Sequence, residues 1–269
     1  MPRPHRVDPS SHSAAMTSGV TLALAALGLV FGVPSGHSAA QSAVIRVSVA
    51  SNFAATARAL AEHFEASTGH QVILVPGSTG KHFAQIINGA PFDIFFAADA
   101  LRPTLLEERG FGIAGSRFTY ARGRLVLWSP RGGWFDSGEE VLREGRFRRL
   151  AIANPKLAPY GQAAQRSLET LGLWSSIQSK IVYGENIGQT FHFVFGGSAE
   201  LGLVALSQIM SIDPELRKGS HWIVPERYYD PIDQQALLLG DASPPRALVE
   251  FVQSSEGRSI IQSFGYRTP

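Results

Sequence analysis

The chain has 269 residues, of which 44% are hydrophobic and 17% charged, with a formal net charge of +2 and no cysteine. This composition excludes a disordered chain and a disulfide scaffold, and the near-neutral balance provides no basic surface for nucleic acid. Stability has to come from a packed core, which a chain of this length can supply.

In chain order, Arg3 and Arg6 precede the apolar run "VTLALAALGLVFGV" (Val20–Val33), and small residues follow at Ser38 and Ala40. That order is the pattern of a secretory signal over residues 1–40, cleaved near Ala40, and the run is shorter than the roughly 20 residues needed to span a membrane. Removal of Arg3, Arg6 and Asp8 leaves a nearly neutral exported chain. The densest basic cluster, "REGRFRR" (Arg143–Arg149), reads as a solvated helix end.

Beyond the leader, "VIRVSVA" (Val44–Ala50) has the β-branched content of a strand, and Ser51-Asn52 supplies N-cap chemistry for the next element. Phe53, Ala57, Leu60, Ala61 and Phe64 recur at helical spacing up to Gly69. The grammar repeats with a strand over Gln71–Pro76, the turn "GSTG", and a helix "KHFAQIING" whose Phe83, Ile86 and Ile87 face inward. "FDIFFAAD" (Phe92–Asp99) reads as a strand covered on both faces, and "LRPTLLEERG" as the helix after it.

From about Arg122 the series restarts, with strands expected at Arg124–Pro130, Arg149–Pro155, Lys180–Glu185 and Glu200–Gln208. Strands alternating with helices argue for parallel sheets in an α/β protein, and two such series argue for two lobes. The segment His221–Leu239 is expected to carry the chain back, so that lobe I comprises residues 41–122 plus 229–269 and lobe II residues 123–228. A helix running from Pro245 to Tyr266 then packs on lobe I.

Ligands of open α/β sheets bind outside the carboxyl ends of the strands. The loops expected there are Ser51-Asn52, Gly77-Ser78-Thr79-Gly80, the loop with Tyr160-Gly161, and Asn186-Ile187-Gly188. Each offers hydroxyls, amides or glycine-freed N–H groups at a helix start, where orphan donors and a partial positive charge favour anions. Ordinary N-capping explains any one of these loops. Their recurrence in both halves points to facing walls of one cleft.

Enzyme readings fit less well. A nucleotide loop G-x-x-x-x-G-K-[ST] requires glycine where Val75 stands and a hydroxyl where His82 stands. Ser78 and Lys81 satisfy S-x-x-K, so an acyl hydrolase is the rival of a different class, but its partner motifs S-D-N and K-T-G are missing. No metal-ligand spacing occurs: His63, His70, His82, His192 and His221 read as surface or packing residues, and Asp93 and Asp99 as strand-end or capping groups.

The stretches "VSVASNFAATARALAEHFEASTGHQV", "PGSTGKHFAQIINGAPFDIFFAADALRPTLLEERG" and "GSAELGLVALSQI" resemble the periplasmic molybdate-binding proteins, the ModA family of ABC importers. The similarity runs from about Val44 to the C-terminus and is densest before Gly110. It implies a type II periplasmic binding protein fold: two α/β lobes, each a sheet flanked by helices, hinged near Arg122 and Tyr228 and closing on a tetrahedral dianion in the interlobe cleft.

Carried over by position, Ser51 and Asn52 occupy the first binding loop, with side-chain and backbone donors toward the ligand. Ser78 matches the second-loop serine. Tyr160 falls where one branch of the family has a second-lobe tyrosine, and Ile187 where a branched aliphatic residue donates its backbone N–H. Another branch places a tyrosine where this chain has Ala205, so here Tyr160 supplies the phenol.

The resemblance further implies a monomeric periplasmic protein without catalytic activity, cofactor or metal other than the oxyanion, serving an ABC permease with molybdate or tungstate. Sulfate or another oxyanion is the alternative ligand. Phosphate keeps a proton at neutral pH and wants a carboxylate acceptor; Glu185 is the carboxylate near these loops, so its orientation bears on selectivity.

Overall fold

The structure is a computed structural model that describes residues 42–269, and the leader expected over residues 1–40 lies outside the described residues. Strands β1 (Val44–Ala50), β2 (Gln71–Gly77) and β3 (Ile94–Phe96) are each followed by a helix: α1 (Ala54–Thr68), α2 (Thr79–Ile87) and α3 (Leu101–Glu108). β1 pairs in parallel with β2 and with β3, as crossover helices require. Gly69 stops α1 because its φ of 72° is left-handed, a conformation glycine adopts without steric cost.

After β4 (Phe118–Gly123) the chain passes to a second sheet, beginning with β5 (Leu125–Trp128) and α4 (Gly138–Glu144). It continues through β6 (Leu150–Ala153), α5 (Pro159–Thr170), α6 (Trp174–Ile177), β7 (Ile181–Gly184) and α7 (Ile187–Phe195). Then come β8 (Leu201–Ala205), α8 (Leu206–Met210) and β9 (His221–Ile223). β10 (Ile232–Leu238) returns to the first sheet, followed by α9 (Ser243–Gln253) and α10 (Ser255–Ser263). The strand orders are β2-β1-β3-β10-β4 and β7-β6-β8-β5-β9. Among the described residues no helix is long and apolar enough to cross a membrane.

The expectation of parallel sheets needs correction, since both sheets are mixed. β10 runs antiparallel to β3 and β4, and β5 antiparallel to β8 and β9. β4 and β10 lack a clean apolar signature because their polar residues pair with one another: Gln235 donates to Thr119 Oγ1 at 3.1 Å, and Arg122 meets Asp233 at 2.6 Å. The strand expected at Glu200–Gln208 stops at Ala205, where the Gln208 side chain folds back to accept from Ala205 N at 3.0 Å and opens a helix. The single C-terminal helix is two, broken at Ser254, which is extended and caps the second by accepting from Gly257 N at 3.1 Å.

Two separate cores position the strand ends. In the first, Phe53 lies 5.7 Å from Phe96, 4.5 Å from Tyr120 and 5.5 Å from Tyr266 between ring centroids, directly behind Ser51-Asn52. Leu248, Val249, Val252 and Ile261 of the two C-terminal helices join that core. In the second, Leu125, Leu127, Leu150 and Ile152 of the sheet pack with Tyr160, Ala164 and Leu168 of α5. Each large side chain so buried contributes about 1.5–3 kcal/mol.

Candidate functional site

β1 and β2 run almost directly into helical elements, β7 into α7 two residues on and β6 into α5 after a short loop, and these helix starts converge on one small cavity. Its walls include Ser51, Asn52, Ser78, Thr79, Tyr160, Asn186 and Ile187, so the five residues expected as ligand contacts all lie on it. The first-turn N–H groups of a helix have no intrahelical acceptor, so four such starts direct orphan donors and partial positive charge at the same point.

Ser78 is buried and caps α2: its Oγ accepts from Lys81 N at 3.3 Å. Capping uses the oxygen and leaves the hydroxyl hydrogen for another acceptor. Pro159 opens α5 and places Tyr160 one residue inside it, with the phenol buried. Burial, and after it the neighbouring phenol of Tyr266, pushes the Tyr160 hydroxyl far above its ordinary range, so it is a neutral donor. Ile187 is the first residue of α7, behind the N-cap Asn186, whose Oδ1 accepts from Gln189 N at 2.9 Å.

Ser51 and Asn52 behave differently from the N-cap pair expected. Residues Ser51–Phe53 form a 3₁₀ turn, and neither side chain caps α1. Ser51 Oγ instead spans the cleft, donating to Asn186 Oδ1 at 3.2 Å and accepting from Gly188 N at 3.2 Å. Asn52 turns inward and donates both amide hydrogens, to Gln234 Oε1 at 2.8 Å and to Tyr266 OH at 3.0 Å. Its Oδ1 is buried and has no partner among the described residues. The side-chain donor expected from Asn52 is thus committed elsewhere, although the residue itself remains on the cavity wall.

The walls are in contact. Gly80 N donates to Leu157 O at 2.9 Å across the cleft, and a Cβ at Gly80 would lie 2.9 Å from that same oxygen. The enclosed space between the walls is small, about 10 Å³, and the Ser51–Asn186 contact lies on its wall.

All residues on the cavity are neutral. Glu185 faces the outer surface, where it pairs with Lys81 at 2.8 Å, both side chains about half exposed. Asp99 is held by Arg102 and accepts from Arg102 N at 2.9 Å just ahead of α3, while Asp93 accepts from Arg46 N at 2.7 Å. No carboxylate is thus available to accept a proton from a ligand. Lys81 directs its ammonium to Glu185, away from the role an acyl-enzyme would give it. Among the described residues no group of three or more metal-ligating side chains occurs. His82 is the buried histidine, packed edge-on against Phe92 and Phe95 behind Gly77, and burial lowers its pKa.

Sequence reasoning placed Asn186 on a cleft loop without its bond to Ser51, and missed Gln234. Asn186 three residues ahead of Gln189 was a readable capping pair, but its bond to Ser51 across 135 residues was not. Gln234, fully buried on β10, carried no signal at all.

Two sheets with helix starts converging on a neutral, donor-rich cleft define a two-lobed binding protein for a small anionic solute. The chain belongs to the family of bacterial extracellular solute-binding proteins, which matches residues 45–267. It is 48% identical to the molybdate-binding protein ModA of Azotobacter vinelandii over 231 residues, covering 85% of this chain and 91% of that one. To the molybdate-binding protein ModA of Rhodobacter capsulatus it is 38% identical over 246 residues, covering 90% and 94%. The solved periplasmic molybdate-binding protein of Azotobacter vinelandii superposes with a TM-score of 0.79 at 40% identity, covering 84% of this chain and 99% of that one.

Proposed function

We propose that this protein, exported to the periplasm, captures molybdate or tungstate between its lobes and delivers the ion to an ABC permease, without catalysing a reaction. The lobes are residues 41–122 plus 229–269 and residues 123–228, hinged where the chain crosses twice between the sheets. Ser51, Ser78 and Tyr160 supply hydroxyl donors, and Asn52 and Ile187 supply backbone N–H groups. The observation that carries this reading is the cavity itself: helix starts and hydroxyls on every side, with no carboxylate to accept from a protonated anion. Such a site favours fully ionised tetrahedral dianions over hydrogen phosphate.

The test is a thermal-shift titration of the leaderless protein with molybdate, tungstate, sulfate and phosphate. Molybdate or tungstate at about 100 times its Kd stabilises the fold by roughly 2.7 kcal/mol. A shift with sulfate alone reassigns the ligand, and no shift with any of the four sinks the reading.

A further inference from the structure

Gln234 is fully buried on β10, at a register shift in its pairing with β4. Such shifts re-aim a side chain out of the regular alternation. The Gln234 side chain reaches three groups. Its Oε1 accepts from Asn52 Nδ2 at 2.8 Å and lies 3.0 Å from Tyr120 OH, whose one hydrogen is shared with Ala97 O at 2.9 Å, and its Nε2 donates to Tyr160 OH at 3.4 Å. The last contact joins the first sheet to α5 of the second half. The path is kept open by Gly123, where a Cβ would sit 2.1 Å from the Tyr160 oxygen and 2.6 Å from Gln234 Nε2.

We infer that Gln234 is a positioning residue for anion binding: its amide N–H occupies the phenol oxygen of Tyr160, so that the phenol hydrogen is left to point into the cavity. A phenol has one hydrogen and an amide nitrogen can only donate, so the contact has one polarity. The opposite end of the amide is fixed by donors, because Asn52 Nδ2 has only hydrogens to offer. Among the described residues Tyr160 donates to no protein acceptor. The titratable groups facing Gln234 are the phenols of Tyr120 and Tyr160, with that of Tyr266 behind Asn52, and burial keeps all three neutral. The same side chain holds Asn52, which lines the cavity on the other wall. One buried amide thus sets the donor character on both sides and tunes the site to a ligand that brings no hydrogen of its own.

This inference rests on the oxyanion reading, and the experiment separates the two. Molybdate binding is measured by calorimetry on the wild type, Gln234→Glu, Tyr160→Phe and the double variant. Glutamate preserves shape and the oxygen that faces Asn52 and Tyr120, but presents an acceptor to Tyr160. At pH about 8 the Gln234→Glu protein is expected to bind roughly 10- to 100-fold more weakly, with affinity regained toward pH about 6 as the buried carboxyl takes up a proton. In the Tyr160→Phe background the same change shifts Kd by less than about threefold, because the coupling partner is gone.

If Gln234→Glu does not fold, Gln234→Met in both backgrounds gives the same cycle. A wild type that binds neither molybdate nor any other oxyanion ends the oxyanion reading and this inference with it. A wild type that binds, combined with an unchanged Kd in the variant or with an equal loss in the Tyr160→Phe background, overturns the role of Gln234 alone.

Discussion

The two walls of the cleft are made from similar parts put to different use. On the first-sheet side, Ser78 is locked as the cap of α2, and the Asn52 side chain turns away from the cavity to bond Gln234 and Tyr266. On the second-sheet side, the wall is the backbone start of α7 and a single long phenol that reaches in from α5. The second wall is likewise tied within its own half, Asn186 accepting from Gln189 N and Ile187 O from Gln208 Nε2, and Ser51 adds a bond across the cleft to Asn186 and Gly188.

This contrast predicts unequal costs on the two sides, the largest at Ser78. Ser78→Ala removes a donor to a charged ligand and should weaken molybdate binding by roughly 10- to 100-fold, while loss of the cap lowers stability by about 1 kcal/mol. Ile187→Val trims an equally buried side chain on the other wall but leaves its backbone N–H in place. Calorimetry should find affinity there within about threefold, with 0.5–1.5 kcal/mol of stability lost in denaturant melts. Equal affinity losses at the two positions would erase the distinction between side-chain and backbone walls.

Gly80→Ala tests the contact between walls. The added Cβ presses on Leu157 O, a backbone atom, so the contact between the walls is strained and affinity falls about tenfold, and a denaturant melt of the unligated protein loses stability as well, by about 1–3 kcal/mol.

The smallest effect concerns His82, a buried imidazole behind the first wall. Burial depresses its folded pKa, so the unfolded chain binds the proton first. Its contribution to stability is intact above the unfolded value of about 6.5 and is lost as pH falls from there toward the folded value. Chemical melts should show His82→Leu losing less stability than wild type between pH about 7.5 and 5.5.

Much of this organisation was legible in the residues. The alternation of strands and helices, the glycine end of α1 and the four helix starts follow from local chemistry that a short window contains. The antiparallel strands were not legible, because β4 and β10 satisfy their polar groups against each other over more than 100 residues, as Gln235 does with Thr119. The site showed the same limit. Ser78 is a local cap and could be read, whereas the inward turn of Asn52 depends on Gln234 and Tyr266, which are 182 and 214 residues away.

The double crossing of the chain has a consequence for how the protein comes to be. Every strand of the second sheet lies within residues 125–223, one unbroken run. The first sheet has β10 between β3 and β4, so it stays split until residue 238 has been made. The second sheet can therefore be completed from one continuous stretch, whereas the first leaves the edges of β3 and β4 unpaired until β10 is in place, and unpaired strand edges are templates for wrong pairing.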